Sequence, residues 1–170
     1  MATVSYGLKI TEAYHIFDKT IKTYRNAVHY ISDIAMRHYD ELQSLESITG
    51  DDGKVIISAQ QRRQQKMERL IHSTANNDAA YKRFDKEFYK FPSYLRRDAI
   101  NTAIGLILSY RSQLQKLEDG GKHGRRPYLN RNQSTMPCFY RNNTFLDSEK
   151  TNIVSLKLYN GKDWIWETFV

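Results

Sequence analysis

Apolar residues recur every three or four positions over two long stretches of this chain, and every second position over shorter runs at its ends. In the first long stretch, Tyr14, Phe17, Ile21, Tyr24, Val28, Ile31, Ala35, His38, Leu42 and Leu45 alternate steps of three and four. That seam predicts one amphipathic helix over residues 12–46, opened by Thr11 and Glu12 and able to pair with another helix. In the second stretch, Ile100, Ala103, Ile104, Ile107, Tyr110, Leu114 and Leu117 mark one face of a helix of about 25 residues starting at Pro92 and Ser93. Its other face carries Arg96, Arg97, Asn101, Ser109, Ser112 and Lys116.

Between these stretches the pattern weakens. Residues 47–56 read as a loop. Asp51, Asp52 and Gly53 lack the repeated acids and the closing glutamate of a calcium loop. Residues 58–74 read as a helix capped by Ser58. It is strongly polar (Gln60, Gln61, Arg62, Arg63, Gln64, Gln65, Lys66, Arg69), with only Met67, Leu70 and Ile71 as an apolar edge. Such a helix is either well solvated or lies along a polyanion. Ala79 to Tyr89 predicts a short helix whose Tyr81, Phe84 and Phe88 pack together, with Phe91 beside them.

Residues 3–10 alternate and read as a strand. Cys138–Arg141, Asn152–Tyr159 and Trp164–Val170 read as further strands, with Asn160-Gly161 marking a hairpin between the last two. Trp164 and Trp166, on either side of Ile165, are read as facing opposite ways, one into the core and the other at a rim or free to stack on a base. Three strands need a partner to be stable, and residues 3–10 are the natural fourth. The fold class is therefore α+β: residues 1–10 and 137–170 form an antiparallel β domain, residues 11–118 are a helical insert, and residues 119–136 are a basic flexible loop.

Charge changes what this frame is for. The chain of 170 residues has a formal net charge of +7. Residues 1–48 are nearly neutral, with 5 Lys/Arg against 6 Asp/Glu, whereas residues 54–118 carry 13 against 6. From Lys122 to Arg141 there are 5 cations and no acid. An acidic partner is expected, nucleic acid before a membrane surface. Lys122, Arg125, Arg126, Arg131 and Arg141 are the candidates for RNA backbone contact, with Arg62 and Arg63 on the polar helix beside them. The alternative for residues 119–136 is a solvated linker.

Catalytic chemistry is sparse in this pattern. The one cysteine, Cys138, excludes an internal disulfide and a zinc ribbon, and is expected to be a small core residue. The histidines have no HxxxH or HxH spacing, and His38 on the apolar seam is expected to be a satisfied bundle residue. No P-loop, no GxGxxG, no metal-ligand set and no cofactor motif is present. No run of about 18 apolar residues appears, and the first residues do not read as a secretion signal, so a cytoplasmic setting without membrane contact is expected.

Phe91-Pro-Ser-Tyr-Leu-Arg-Arg-Asp-Ala-Ile-Asn-Thr-Ala-Ile-Gly, Ser109-Tyr-Arg-Ser, Pro137-Cys-Phe-Tyr-Arg and Ser155-Leu-Lys-Leu-Tyr-Asn-Gly-Lys-Asp-Trp-Ile-Trp follow one another in this order. In that order the chain resembles the N-terminal part of TnpB/OrfB-type transposon proteins. These are annotated transposases similar to compact type V CRISPR nucleases. The resemblance implies a wedge domain, a small β-barrel, with a helical recognition domain inserted into it. It implies a grip on a guide RNA scaffold and reading of a short motif beside the DNA target. It also implies that Arg96, Arg97 and Asn101 face that DNA, where an amide can read a base edge and arginines can read guanine or hold phosphate. The metal-dependent endonuclease of that family lies in a RuvC-like domain with a four-cysteine insert, which these residues do not include. The expected function is thus a nucleic-acid-binding module for RNA and DNA with no nuclease site of its own. The rivals are a protein-interaction adaptor self-associating through helix 12–46, and one part of an active nuclease completed by a further domain.

Overall fold

A computed structural model of the protein describes residues 14–120, 125–129, 135–147 and 153–169. The expected strand at residues 3–10 lies outside these. The first seam forms α1 (Tyr14–Arg37) and a short α2 (Tyr39–Gln43). They are divided at His38, whose backbone (φ −104°, ψ 21°) leaves helical geometry for one residue. The backbone bonds His38 N to Ile34 O (3.1 Å) and Leu42 N to His38 O (2.9 Å) carry the chain on in nearly the same direction. His38 is satisfied as expected: Nε2 lies 3.0 Å from the Tyr81 hydroxyl and Nδ1 lies 3.3 Å from Glu41 Oε1.

Residues 47–56 are not a plain loop. β1 (Ile48–Thr49) and β2 (Val55–Ile57) pair antiparallel around a turn in which Gly53 takes φ 74°, a conformation glycine adopts without strain. Strands of two and three residues are too short for alternation to announce them. α3 (Ala59–Ile71) starts where Ser58 predicts, with a full capping box: Gln61 N donates to Ser58 Oγ, and Ser58 N donates to Gln61 Oε1. The short helix is only α4 (Arg83–Glu87), but the aromatic cluster around it forms as expected. The Phe84–Phe88 ring centroids stand 4.9 Å apart, with Phe91 6.0 Å from each. α5 (Ser93–Glu118) begins at the expected residue, but Pro92 holds the cap position and no side chain caps it, so the Ser93 oxygen is not used that way.

Side-chain pairs fix how the helices run. Tyr24 meets Asp98 and Thr102, and Arg111 lies over the Tyr39 ring, so α1 and α5 are parallel. Glu68 meets Arg96, and Gln64 meets Asn101, so α3 is antiparallel to α5. The core between them holds Tyr24, Val28, Ile31, Ala35, Met67, Ile71, Phe84, Leu95, Ile100, Ala103 and Ile107. The α1 seam thus pairs with α5 of the same chain.

The last strands form an open antiparallel sheet of three, in the order β3 (Phe145–Asp147), β4 (Val154–Tyr159), β5 (Trp164–Phe169). The described residues form no closed barrel. Val154, Leu156, Leu158 and Phe169 pack on Ile16 and Phe17 at the start of α1. Buried Thr20 ties sheet to helix: its hydroxyl donates to Ile16 O (2.9 Å) and accepts from Tyr159 N (2.8 Å). Two expectations fail here. Cys138–Arg141 is not a strand, because Cys138 N donates to Asp98 instead of a ladder, and residues 140–145 close a tight turn in which Asn142 takes φ 64°. Trp164 and Trp166 share a face, as residues two apart on a strand must. Trp164 is buried because Phe91 and Tyr159 cover it, at ring distances of 5.2 and 5.3 Å.

Candidate nucleic-acid interface

The antiparallel register of α3 and α5 brings the last turn of α3, the 74–77 turn and the first turns of α5 around an open cleft of about 640 Å³. Glu68, Arg69, His72, Thr74, Asn76, Asn77, Arg96 and Arg97 line it. The Asn77 amide donates to the carbonyls of Arg69 (2.9 Å) and His72 (2.8 Å), ending α3 and fixing the turn. His72 Nδ1 lies 2.7 Å from Asp85 Oδ1, and Ser73 N donates to Asp85 Oδ2 at 2.8 Å. Three guanidinium groups face one carboxylate of α3, so the cleft keeps a positive surplus.

Arg96 corrects the sequence reading. It does not stand on an open face but is 8% exposed. Its Nη2 and Nε donate to Glu68 Oε1 at 3.0 and 3.3 Å, and Nη1 donates to Phe91 O at 3.4 Å. The reason is arithmetic. Arg96 sits four residues before Ile100 and seven before Ala103, on the apolar stripe itself, where α3 covers it. Arg97, one position on, is exposed. Its Nε lies 3.6 Å from Glu68 Oε2, and its guanidinium lies 5.5 Å from the Tyr94 ring centroid. Asn101 is half-buried and donates to Gln64 Oε1 at 3.2 Å, while its buried Oδ1 finds no partner among the described residues. In this arrangement Asn101 faces α3.

Arg62 and Arg63 also turn inward. Arg62 Nη1 donates to Glu46 O (2.8 Å). Arg63 Nε donates to Leu42 O (2.8 Å), and its Nη2 reaches Leu45 O (3.4 Å) and Gln43 O (3.5 Å). They hold the end of α2 and leave less guanidinium surface for an outside ligand. Arg125 and Arg126 are exposed. Arg141 is exposed and pairs with Asp147 at 2.9 Å. Lys122 and Arg131 lie outside the described residues.

The sequence reading missed Arg69, His72, Asn76 and Asn77 as site residues, because nothing local joins them to Arg97. It also missed a second basic concavity of about 530 Å³, lined by Asp18, Ile21, Lys22, Arg25, Asn26, His29 and Met136. There a signal existed: Lys22, Arg25 and His29 follow one another by three and four along α1.

Cys138 is exposed, not a core residue. Partial desolvation, then the charge of Asp98, pushes its thiol pKa up, away from the reactive thiolate. Among the described residues no group of three His, Cys, Asp or Glu stands together as a metal site, and no helix is long and apolar enough to cross a membrane.

Residues 2–160 match the Aq_aa04 family. The chain belongs to the Aq_aa04 family. No curated protein and no solved structure matches it. The basic surfaces of this Aq_aa04 family member among the described residues include the arginine cleft, the concavity on α1 and the exposed Arg125–Arg126 pair.

Proposed function

We propose that this Aq_aa04 family member is a nucleic-acid-binding module that grips phosphates in the α3–α5 cleft. The observation that carries this is the clustering of Arg69, Arg96 and Arg97 around one open cleft, with Glu68 holding two of them in place. Arg97 and Arg69 make the outer contacts, and buried Arg96 contributes field more than touch. Arg125 and Arg126 add a second basic point of contact.

The finer form of this reading rests on the sequence resemblance to TnpB/OrfB-type proteins. In that form the ligands are a guide RNA scaffold and target-adjacent DNA, and the three-stranded sheet is part of a barrel-like wedge. The placement of the helices before the three-stranded sheet in the described residues is compatible with it.

The test is a titration of the full chain, freed of carried-over nucleic acid, with a structured RNA, a DNA duplex and a single strand across salt. Log affinity should fall linearly with log salt. Arg69→Glu with Arg97→Glu should reduce that slope by about 1.4 to 1.8, at roughly 0.7–0.9 per lost phosphate contact, while Arg62→Gln leaves it unchanged. Absence of binding by all three ligands near physiological salt would reject the proposal.

A further inference from the structure

The three-stranded sheet has two different faces. One packs on α1 through Val154, Leu156, Leu158 and Phe169. The register (Leu146↔Ser155↔Thr168 and Lys157↔Trp166) puts Leu146, Ser155, Lys157, Trp166 and Thr168 on the other. Trp166 and Leu146 are each 41% exposed there. Lys157 Nζ stands 5.4 Å from the centroid of the Trp166 ring. Ser155 and Thr168 hydroxyls bond to each other at 2.8 Å, and each keeps further hydrogen-bonding capacity. Lys157 is the only charged side chain of these five, and Glu167 belongs to the opposite face by alternation.

Resting on the nucleic-acid reading above, we infer that this face is a stacking platform for an unpaired nucleobase of a single strand, with the base on Trp166 and the flanking phosphate on Lys157. The charge argues for the occupant: a flat aromatic surface beside one cation, with no acid among these five side chains and the neighbouring Asp163 tied to Lys90 at 3.0 Å, complements an aromatic ring carried on an anionic backbone. Magnitudes agree. An exposed cation–π contact is worth about 0.5–1 kcal/mol, whereas a base stacked on an aromatic side chain is worth about 1–3 kcal/mol. The base displaces the ammonium, which then meets phosphate. The rigid setting helps, because Trp166 sits on a strand paired to β4 and pays little ordering entropy on binding.

The chain has two tryptophans, one buried and one exposed, so indole emission reads this site directly. The full chain is titrated with an adenine-rich single-stranded DNA 12-mer at fixed salt, with fluorescence and anisotropy recorded together. Binding should quench emission in the wild type and in Trp164→Phe, but not in Trp166→Phe. Trp166→Ala should weaken the single strand by about 5- to 150-fold, the stacking range converted at 1.4 kcal/mol per tenfold, with duplex affinity held within twofold. Lys157→Gln should lower the single-strand salt slope by about 0.7. If the strand binds with unchanged emission and Trp166→Ala binds as well as wild type, the platform is wrong while the cleft reading stands. If no nucleic acid binds at all, both fall. If Trp166→Ala instead dissolves a dimer seen by sedimentation, the face is a protein interface and the inference is overturned.

Discussion

Glu68→Gln separates stability from binding. Among the described residues the Glu68 carboxylate is the acid that pairs with the Arg96 guanidinium, and the pair is largely shut from water, with side-chain exposures of 10% for Arg96 and 21% for Glu68. Removing one partner of such a pair strands the other charge, and a fully buried case costs about 3–5 kcal/mol. Residual exposure and the bond from Arg96 Nη1 to Phe91 O lower this to about 2–4 kcal/mol. At roughly 2–4 °C per kcal/mol for a chain of this size, Tm should drop by about 4–16 °C. The cleft should respond in the other direction. Glu68 also holds Arg97 at 3.6 Å, and its loss removes the carboxylate that competes with phosphate. Nucleic-acid affinity should rise several-fold at low salt, with a steeper salt slope. Urea unfolding followed by tryptophan emission gives the first quantity, and anisotropy at a temperature where both proteins are folded gives the second. The double variant Glu68→Gln with Arg96→Met should recover most of the lost stability, since an ion pair replaced whole is close to neutral. A stability loss under 0.5 kcal/mol (about a tenth of the range for a buried pair), or weaker binding by the folded single variant, would refute the reasoning.

Three other outcomes are expected. Tyr24→Phe removes a 2.6 Å bond from a fully buried hydroxyl to Asp98 Oδ2 and should cost about 1–2 kcal/mol in urea unfolding at pH 7. Burial first, then the hydrogen bond to Asp98, raises the Tyr24 pKa well above its ordinary 10.0, so this stabilisation is fully present below pH 10 and is lost as pH rises past it. The wild type should therefore lose up to about 1.4 kcal/mol more than Tyr24→Phe per pH unit above 10. Arg63→Met strips the donors from the end of α2 and should lower stability by about 1–2 kcal/mol, while the RNA salt slope stays unchanged; a fall in that slope would return Arg63 to the interface. Thr20→Val keeps the shape but orphans the Tyr159 N–H, and should cost about 1–3 kcal/mol, read as a Tm shift.

What could be read beforehand was whatever a period or a cap encodes locally. The ranges of α3 and α5, the Ser58 start, the aromatic cluster and the two final strands all follow from spacing within one element, whereas the seam read as one helix over residues 12–46 is divided at His38 into α1 and α2. The failures are where the deciding contact comes from far along the chain. Cys138–Arg141 carries strand-like residues, yet Asp98, 40 positions earlier, takes the Cys138 N–H. Arg96 was legible in principle, since counting back from Ile100 puts it on the buried stripe, but its charge outweighed its register in the reading. Trp164 and Trp166 are equal by pattern, and the rings of Phe91 and Tyr159 decide which of them is covered.

α3 shows why polarity alone could not locate the site. Its sequence left two choices, a solvated helix or one lying along a polyanion. The structure gives a third use to one part of it: Arg62 and Arg63, near its start, saturate carbonyls at the end of α2 and in the following loop, as internal clamps. Only toward its far end do cations open outward, at Arg69. There the antiparallel register matters, because Gln64 opposite Asn101 and Glu68 opposite Arg96 place Arg69 beside the first turns of α5. A shift of one helical turn would part Glu68 from Arg96 and leave a buried guanidinium without its counter-charge. The ion pair that makes the cleft's electrostatics is therefore also what fixes the register on which the cleft depends.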